Sequence, residues 1–290
     1  MMVNFTKMHG AGNDFIVVDE WKGEVVPQVQ KEKFVKSICD RRFGIGSDGA
    51  IFVQKSKVAD VNFAYYNPDG SRAEMCGNGI RCLAKFVFEH GLIRRNVISA
   101  ETRAGTKQLE LTVVDGIVYE VKVDMGRPQV SRGEAQVSGD PDGKFVNQRV
   151  SVGGADYDLT AVGMGNPHTV MFCDNVDAVD VAKVGAAIRN HTPLSPKGTN
   201  VHFLQHMGGN EFRIRTFERG VEAETLACGT GICASAVAAV LNDKADMRKP
   251  ILFEARGGNI KVELEGTKDD IRKAYLIGSA EEVYTGSIEL

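Results

Sequence analysis

The stretch CGNGIRCLA (residues 76–84) is echoed by CGTGICASA (residues 228–236), and this pair decides the fold. The offset between the leading cysteines is 228 − 76 = 152 residues, and three further echoes keep nearly the same distance. Gly12-Asn13 answers Gly165-Asn166, ETRAG (101–105) answers EARGG (254–258), and Leu111 answers Leu264. Echoes in one order at one spacing mark a duplicated unit. The expectation is an α+β protein of two similar domains, each a mostly antiparallel sheet wrapped around a central helix. Boundaries follow at 1–125 and 126–276, with the tail from about 277 to 290 left open to return to the first domain. A cleft between two such domains is the natural place for a ligand.

Local patterns agree with that architecture. Apolar residues alternate at Val61, Phe63 and Tyr65 and again at Phe212, Ile214 and Thr216, the period of a strand. Asp115-Gly116 is the turn chemistry of a two-residue hairpin. After each repeated Cys-Gly the pattern becomes helical. GICASAVAAVLN is apolar nearly all round, as a helix buried on every side must be, and IRCLAKFVFEH places Ile80, Leu83, Ala84 and Val87 at helical spacing before Gly91. GEAQVSGDPDGKF (133–145) reads as a loop near the junction of the repeats.

Composition narrows the function. With 35 basic and 38 acidic side chains, a net charge of −3 and no long basic run, neither nucleic acid nor an anionic membrane is an expected partner. The start MMVNFTKMHGAGNDF lacks the basic and apolar regions of a signal peptide, so a cytoplasmic protein is expected. Six cysteines in 290 residues are too sparse for a disulfide framework, which leaves free thiols for chemistry.

Each Cys-Gly-x-Gly turn puts a thiol at the mouth of a helix. The unpaired N–H groups of Gly77, Asn78 and Gly79, and of Gly229, Thr230 and Gly231, would seat a carboxylate, and the same partial charge favours thiolate. Inverting a stereocentre needs a base on one face and an acid on the other, which two equivalent thiols, one protonated and one ionised, supply. The seat would stabilise charge on the substrate carboxylate as the α-proton leaves. One such turn reads as apolar filling, the matched pair as chemistry, whereas Cys82 and Cys233 inside the helices read as core. No P-loop, dinucleotide fingerprint or metal-ligand spacing competes, so neither organic cofactor nor metal is expected. A thiol–disulfide or metal-binding protein and a non-catalytic amino-acid binder stay open on these residues alone.

Together with KMHGAGNDF (7–15), GIGSDG (44–49), NPDGSRAEMCGNGIRC (67–82), GNPH (165–168), GTN (198–200) and ERGVEAETLACGTG (218–231), the sequence resembles the diaminopimelate epimerases over essentially its whole length. The resemblance implies a cofactor-independent isomerase that interconverts LL- and meso-diaminopimelate in lysine and peptidoglycan precursor synthesis; a homodimer is expected only as the commonest default for soluble enzymes. It implies Cys76 and Cys228 as the acid–base pair. It implies Asn13, Asn67, Asn166 and Asn200 as lining for the substrate, Arg219 as partner of a substrate carboxylate, and Gly77, Asn78, Gly229 and Thr230 as the α-carboxylate seat. His168 and Glu218 are implied near the reacting centre as supporting acid–base groups. A proline or hydroxyproline racemase would share the thiols but leave Arg219 and the asparagines unpaired in a closed site, at a cost. Two departures stand out: many relatives carry glutamine where this chain has Gly49, and the loop RGVEAETLA (219–227) is a residue longer than the common form, which leaves Glu222 and Glu224 without assigned roles.

Overall fold

The computed structural model describes residues 2–289. In chain order they form β1 (Met2–Gly10), β2 (Asn13–Asp19), α1 (Lys31–Cys39), β3 (Ala50–Gln54), β4 (Val61–Tyr66), α2 (Gly77–Glu89), β5 (Val97–Thr102), β6 (Gly105–Val114) and β7 (Ile117–Gly126). There follow β8 (Gln148–Val152), β9 (Ala155–Gly163), β10 (Pro167–Phe172), α3 (Val181–Arg189), β11 (Asn200–Gly208), β12 (Glu211–Glu218), β13 (Ala223–Thr225), α4 (Gly229–Leu241), β14 (Ile251–Ala255), β15 (Gly258–Gly266), β16 (Ile271–Gly278) and β17 (Glu281–Glu289). The contacts divide them into two units. One runs to Val123 and is completed by the segment from Gly278 onward, and the other is Asp124–Ile277.

In the first unit β1 pairs antiparallel with both β17 and β2. Next come a parallel step to β3, an antiparallel one to β4, a parallel one to β5, and the antiparallel run β5–β6–β7. Parallel neighbours need a crossover connection, and the two helices supply it: α1 links β2 to β3 and α2 links β4 to β5. The β6–β7 hairpin turns at Asp115-Gly116, both residues at positive φ as that turn requires.

The second unit repeats this order. The pairs β8–β9, β9–β10, β11–β12, β14–β15 and β15–β16 are antiparallel. Parallel steps fall at β10–β11 and β12–β14, again bridged by helices α3 and α4. Strand β17 thus holds in the first unit the place that β8 holds in the second, although it comes from the far end of the chain. The expected α+β architecture of two repeated, largely antiparallel sheets around central helices holds.

Burial explains the layering. Helix α2 packs on the face of its sheet carrying Phe15, Ile51 and Phe63, close enough that a Cβ on Gly79 would lie 3.2 to 3.4 Å from those three side chains. α4 packs likewise on β9, β10, β11 and β15, and its small residues Ala234, Ala236, Ala238 and Ala239 are fully buried. Each opposite face is covered by a second, shorter helix. Phe34, Val35 and Ile38 of α1 join Val3, Ile16, Val18 and Phe52 in one core, and Val181 and Ile188 of α3 join Leu159, Val201, Phe203 and Phe217 in the other. Each large aliphatic or aromatic side chain so buried contributes roughly 1.5–3 kcal/mol.

The first-repeat helix hides two cations that its apolar pattern does not announce. Arg81 donates to Gly77 O and Asn78 Oδ1, and Lys85 donates to Glu89 and to Val118 O. Such pairing is what lets charge sit in a core. A third buried cation, Lys31, pairs with Glu20 at 3.1 Å beneath α1, where Glu20 also accepts from the Val25 and Val26 amides.

Candidate active site

In the first unit the chain reverses between β1 and β2 through Ala11 and Gly12, both at positive φ, and this turn presents Asn13. Its amide is oriented from behind: Nδ2 donates to Asp48 Oδ2 at 2.7 Å, so Oδ1 must face the other way. There it accepts from Asn78 Nδ2 at 3.3 Å and from Cys76 Sγ at 3.6 Å. A carbonyl oxygen only accepts, so Cys76 carries its proton in this arrangement. Asp48 is itself braced by the Asp14 backbone amide and by Arg41. Burial would raise the Asp14 carboxyl, but hydrogen bonds from Arg41 and Lys7 outweigh it and hold it at about 2.

Cys76 is the N-cap residue of α2, in extended conformation (φ −143°, ψ 117°), and its sulfur accepts from the Gly79 amide at 3.4 Å. That is one correction to the expected seat: Gly79 N–H is committed to the thiol, leaving Gly77 and Asn78 N–H ahead of the first helical bond, Ile80 N to Cys76 O. Asn13, Cys76 and Asn78 form one connected group. Asn67 stands outside it, opening the Asn67–Gly70 turn with its side chain donating to Ser71 Oγ at 3.0 Å.

In the second unit Cys228 is the N-cap of α4 with matching backbone (φ −120°, ψ 107°), and its sulfur lies 3.6 Å from Thr230 Oγ1. The thiol is buried, 6 % exposed. Asn166 follows Gly165, again at positive φ, and accepts at Oδ1 from His168 Nε2 at 2.8 Å. Asn200 is buried. It donates to Pro167 O and accepts from the Arg219 backbone amide, both at 2.9 Å, so its side chain stitches the ends of β10, β11 and β12 together. The Arg219 guanidinium reaches the carbonyls of Lys197 and Gly198, and Glu218 accepts from Thr225 Oγ1 at 2.9 Å.

His168 does not suit the acid–base part expected of it. It is completely buried, burial pushes its imidazolium form well down with help from His202 and Arg219, and both ring nitrogens are engaged, one by Asn166 and one by His202. A neutral ring with both nitrogens committed can hold a neighbour in place but has no nitrogen left to relay a proton to a ligand.

The loop after Arg219 has two anchors here. Glu222 caps the Gly220 amide and pairs with Arg189 at 2.8 Å, and Glu224 grips Arg215 with both oxygens at 2.8 Å. At Gly49 a Cβ would lie 2.6 Å from both Tyr65 Cε2 and Tyr66 O, so the Tyr65 ring fills the space into which a larger residue would project. Cys82 behaves as filling: it is fully buried and pushed up to about 12 by that burial. No group of three His, Cys, Asp or Glu side chains able to hold a metal ion occurs among the described residues.

The family model for diaminopimelate epimerase matches residues 5–131 and 160–283. The chain is similar to the diaminopimelate epimerase of Pelotomaculum thermopropionicum, 44 % identical over 284 residues that cover 98 % of each chain. It is also similar to that of Methanothermobacter thermautotrophicus, 41 % identical over 288 residues and 98 % of each. Among solved structures, the phenazine biosynthesis protein of the PhzF family from Bacillus anthracis superimposes with a TM-score of 0.74, covering all of both chains at 16 % identity, a likeness of fold.

Proposed function

The chain belongs to the diaminopimelate epimerase family, and from that premise we propose that Cys76 and Cys228 interconvert LL- and meso-diaminopimelate. One thiolate removes the α-proton while the other thiol returns a proton to the opposite face, and the reverse reaction exchanges the roles. The observation that carries this reading is the repeated helix start. Two buried helices each open on a cysteine N-cap followed by Gly-x-Gly. An N-cap thiol sees the positive end of its own helix, which favours thiolate, and the first amides beyond it offer hydrogen bonds to a carboxylate that gathers charge as the carbanion forms.

Within this reading Gly77, Asn78, Gly229 and Thr230 seat the α-carboxylate, Arg219 grips the distal carboxylate, and Asn13, Asn67, Asn166 and Asn200 serve the remaining polar groups. The committed hydrogen bonds of Asn200 and His168 support positioning roles for both. Glu218 stays assigned near the reacting centre beside Thr225. Because the chemistry needs reduced thiols, we place the enzyme in the cytoplasm. We also propose a homodimer, the commonest closed assembly. Strand β17, whose Val283 and Tyr284 are exposed, supports an apolar contact there.

Incubation of LL-diaminopimelate with the protein in deuterated buffer tests the reaction. Deuterium should enter the α-position as the meso isomer appears, and Cys76→Ala or Cys228→Ala should abolish inversion. Full activity in either variant would remove the two-thiol mechanism.

A further inference from the structure

Behind Asn166 lies a chain of side chains that the reaction does not itself require. His168 on β10, His202 on β11 and Thr216 on β12 sit on adjacent strands, both histidines fully buried and Thr216 only 3 % exposed. Thr216 Oγ1 is 2.9 Å from His202 Nδ1, His202 Nε2 is 2.9 Å from His168 Nδ1, and His168 Nε2 is 2.8 Å from Asn166 Oδ1. The direction of every bond follows from the last one. An amide oxygen only accepts, so His168 carries hydrogen on Nε2. Its neutral ring then accepts at Nδ1, so His202 must carry hydrogen on Nε2 and accept a hydrogen bond from the Thr216 hydroxyl at Nδ1.

Two features keep both rings neutral and in place. Burial disfavours charge on either ring, pushing His202 down to about 3. The helix that begins at Cys228 also presses against the same ring: a Cβ on Gly231 would lie 2.1 Å from His202 Cε1. A helix N-terminus repels a cation, so protonating His202 would be opposed twice over. An ordinary core histidine needs only to be satisfied. With the Asn166 oxygen turned towards His168 the pair is satisfied in one sense, and that sense ends on an asparagine side chain that is only partly buried.

We propose that His202, backed by Thr216, is a positioning residue for substrate binding: through His168 it fixes the amide of Asn166 with oxygen inward and nitrogen outward, as a donor for the substrate. The proposal rests on the reading of Asn166 as a substrate residue. Loss of the relay lets the amide rotate, and one misplaced hydrogen bond of about 1.4 kcal/mol corresponds to tenfold in affinity.

The test uses the full chain. Histidine 15N–1H correlation spectra without substrate should show His168 and His202 neutral with hydrogen on Nε2. His202→Leu removes the donor to His168 and should raise the KM for diaminopimelate about tenfold with kcat changed less than about threefold. His202→Gln, whose amide can still donate, should recover most of that KM. Thr216→Val serves where His202→Leu does not fold: it should leave His168 in mixed tautomers and raise KM in the same sense. Hydrogen on Nδ1 of His168 in the unaltered protein would overturn the proposal. So would a folded His202→Leu with unchanged KM, or equal impairment in the Leu and Gln variants. A protein that shows the expected tautomers but epimerises nothing would instead sink the functional reading while the relay stands.

Discussion

Lowering the pH from 7.5 to 5.0 should destabilise the second unit, which buries two histidines in their neutral form. His202 is held at about 3 against an ordinary value of 6.5, with burial as the cause. The unfolded chain therefore binds a proton below 6.5 that the folded chain refuses, and stability contributed by the neutral ring is complete above 6.5 and drains away as the pH falls towards 3. At pH 5.0 the unfolded histidine is almost fully protonated and the folded one is not. The linkage then costs about 2 kcal/mol for this ring, against almost nothing at pH 7.5. His168, lowered by burial in the same way, adds in the same direction. Urea unfolding at the two pH values, with amide exchange in α4 and β11 reporting on this unit, measures the difference, and His202→Gln should shrink it by about 2 kcal/mol because glutamine does not titrate. An equal loss in parent and variant would refute the reasoning, as would an imidazolium signal from His202 in the folded protein at pH 5.0.

Two substitutions probe Gly49 and the loop after Arg219. Gly49→Ala should cost about 1–3 kcal/mol in thermal unfolding, since the new methyl meets the Tyr65 ring and the Tyr66 carbonyl at 2.6 Å and a backbone carbonyl cannot step aside; an unchanged Tm would show that the strand adapts. Glu222→Ala removes a half-exposed ion pair with Arg189 worth less than about 1 kcal/mol, so stability should hardly move, yet the KM for diaminopimelate should rise as the loop after Arg219 loses its anchor; steady-state kinetics beside a thermal melt separates the two effects.

What the sequence made legible was whatever repeats or stays local. The two Cys-Gly-x-Gly starts, the all-apolar GICASAVAAVLN helix and the Asp115-Gly116 hairpin are short-range signals, and they appear in the structure where their patterns place them. Helices α1 and α3 escaped because nine residues give barely two turns of amphipathic pattern, KEKFVKSIC and VAKVGAAIR, each too brief to stand out. With them went the parallel steps β2–β3 and β10–β11, which exist only because those helices carry the chain across. The buried pair Lys31–Glu20 was invisible for a different reason: its value depends on a shell of backbone donors that no linear pattern encodes. In the site, Asp48 and His202 act on residues 35 and 34 positions away, so nothing near either in sequence announces the contact.

The duplicated asparagines show how a repeat can diverge in polarity while keeping its backbone. Asn13 and Asn166 each follow a glycine at positive φ, at equivalent points of the two units. Behind Asn13 stands a carboxylate, Asp48, which takes the amide hydrogens and leaves the oxygen to accept from Cys76. Behind Asn166 stands a ring N–H of His168, which takes the amide oxygen and leaves the nitrogen to donate. The same side chain thus offers an acceptor in one repeat and a donor in the other, and the choice is made by a neighbour that the repeat does not share. Under the substrate roles proposed above for Asn13 and Asn166 that difference matters, because a substrate with two amino-acid ends needs one end held and the other left reactive. Two identical half-sites would not distinguish them, whereas half-sites with opposed hydrogen-bonding sense do.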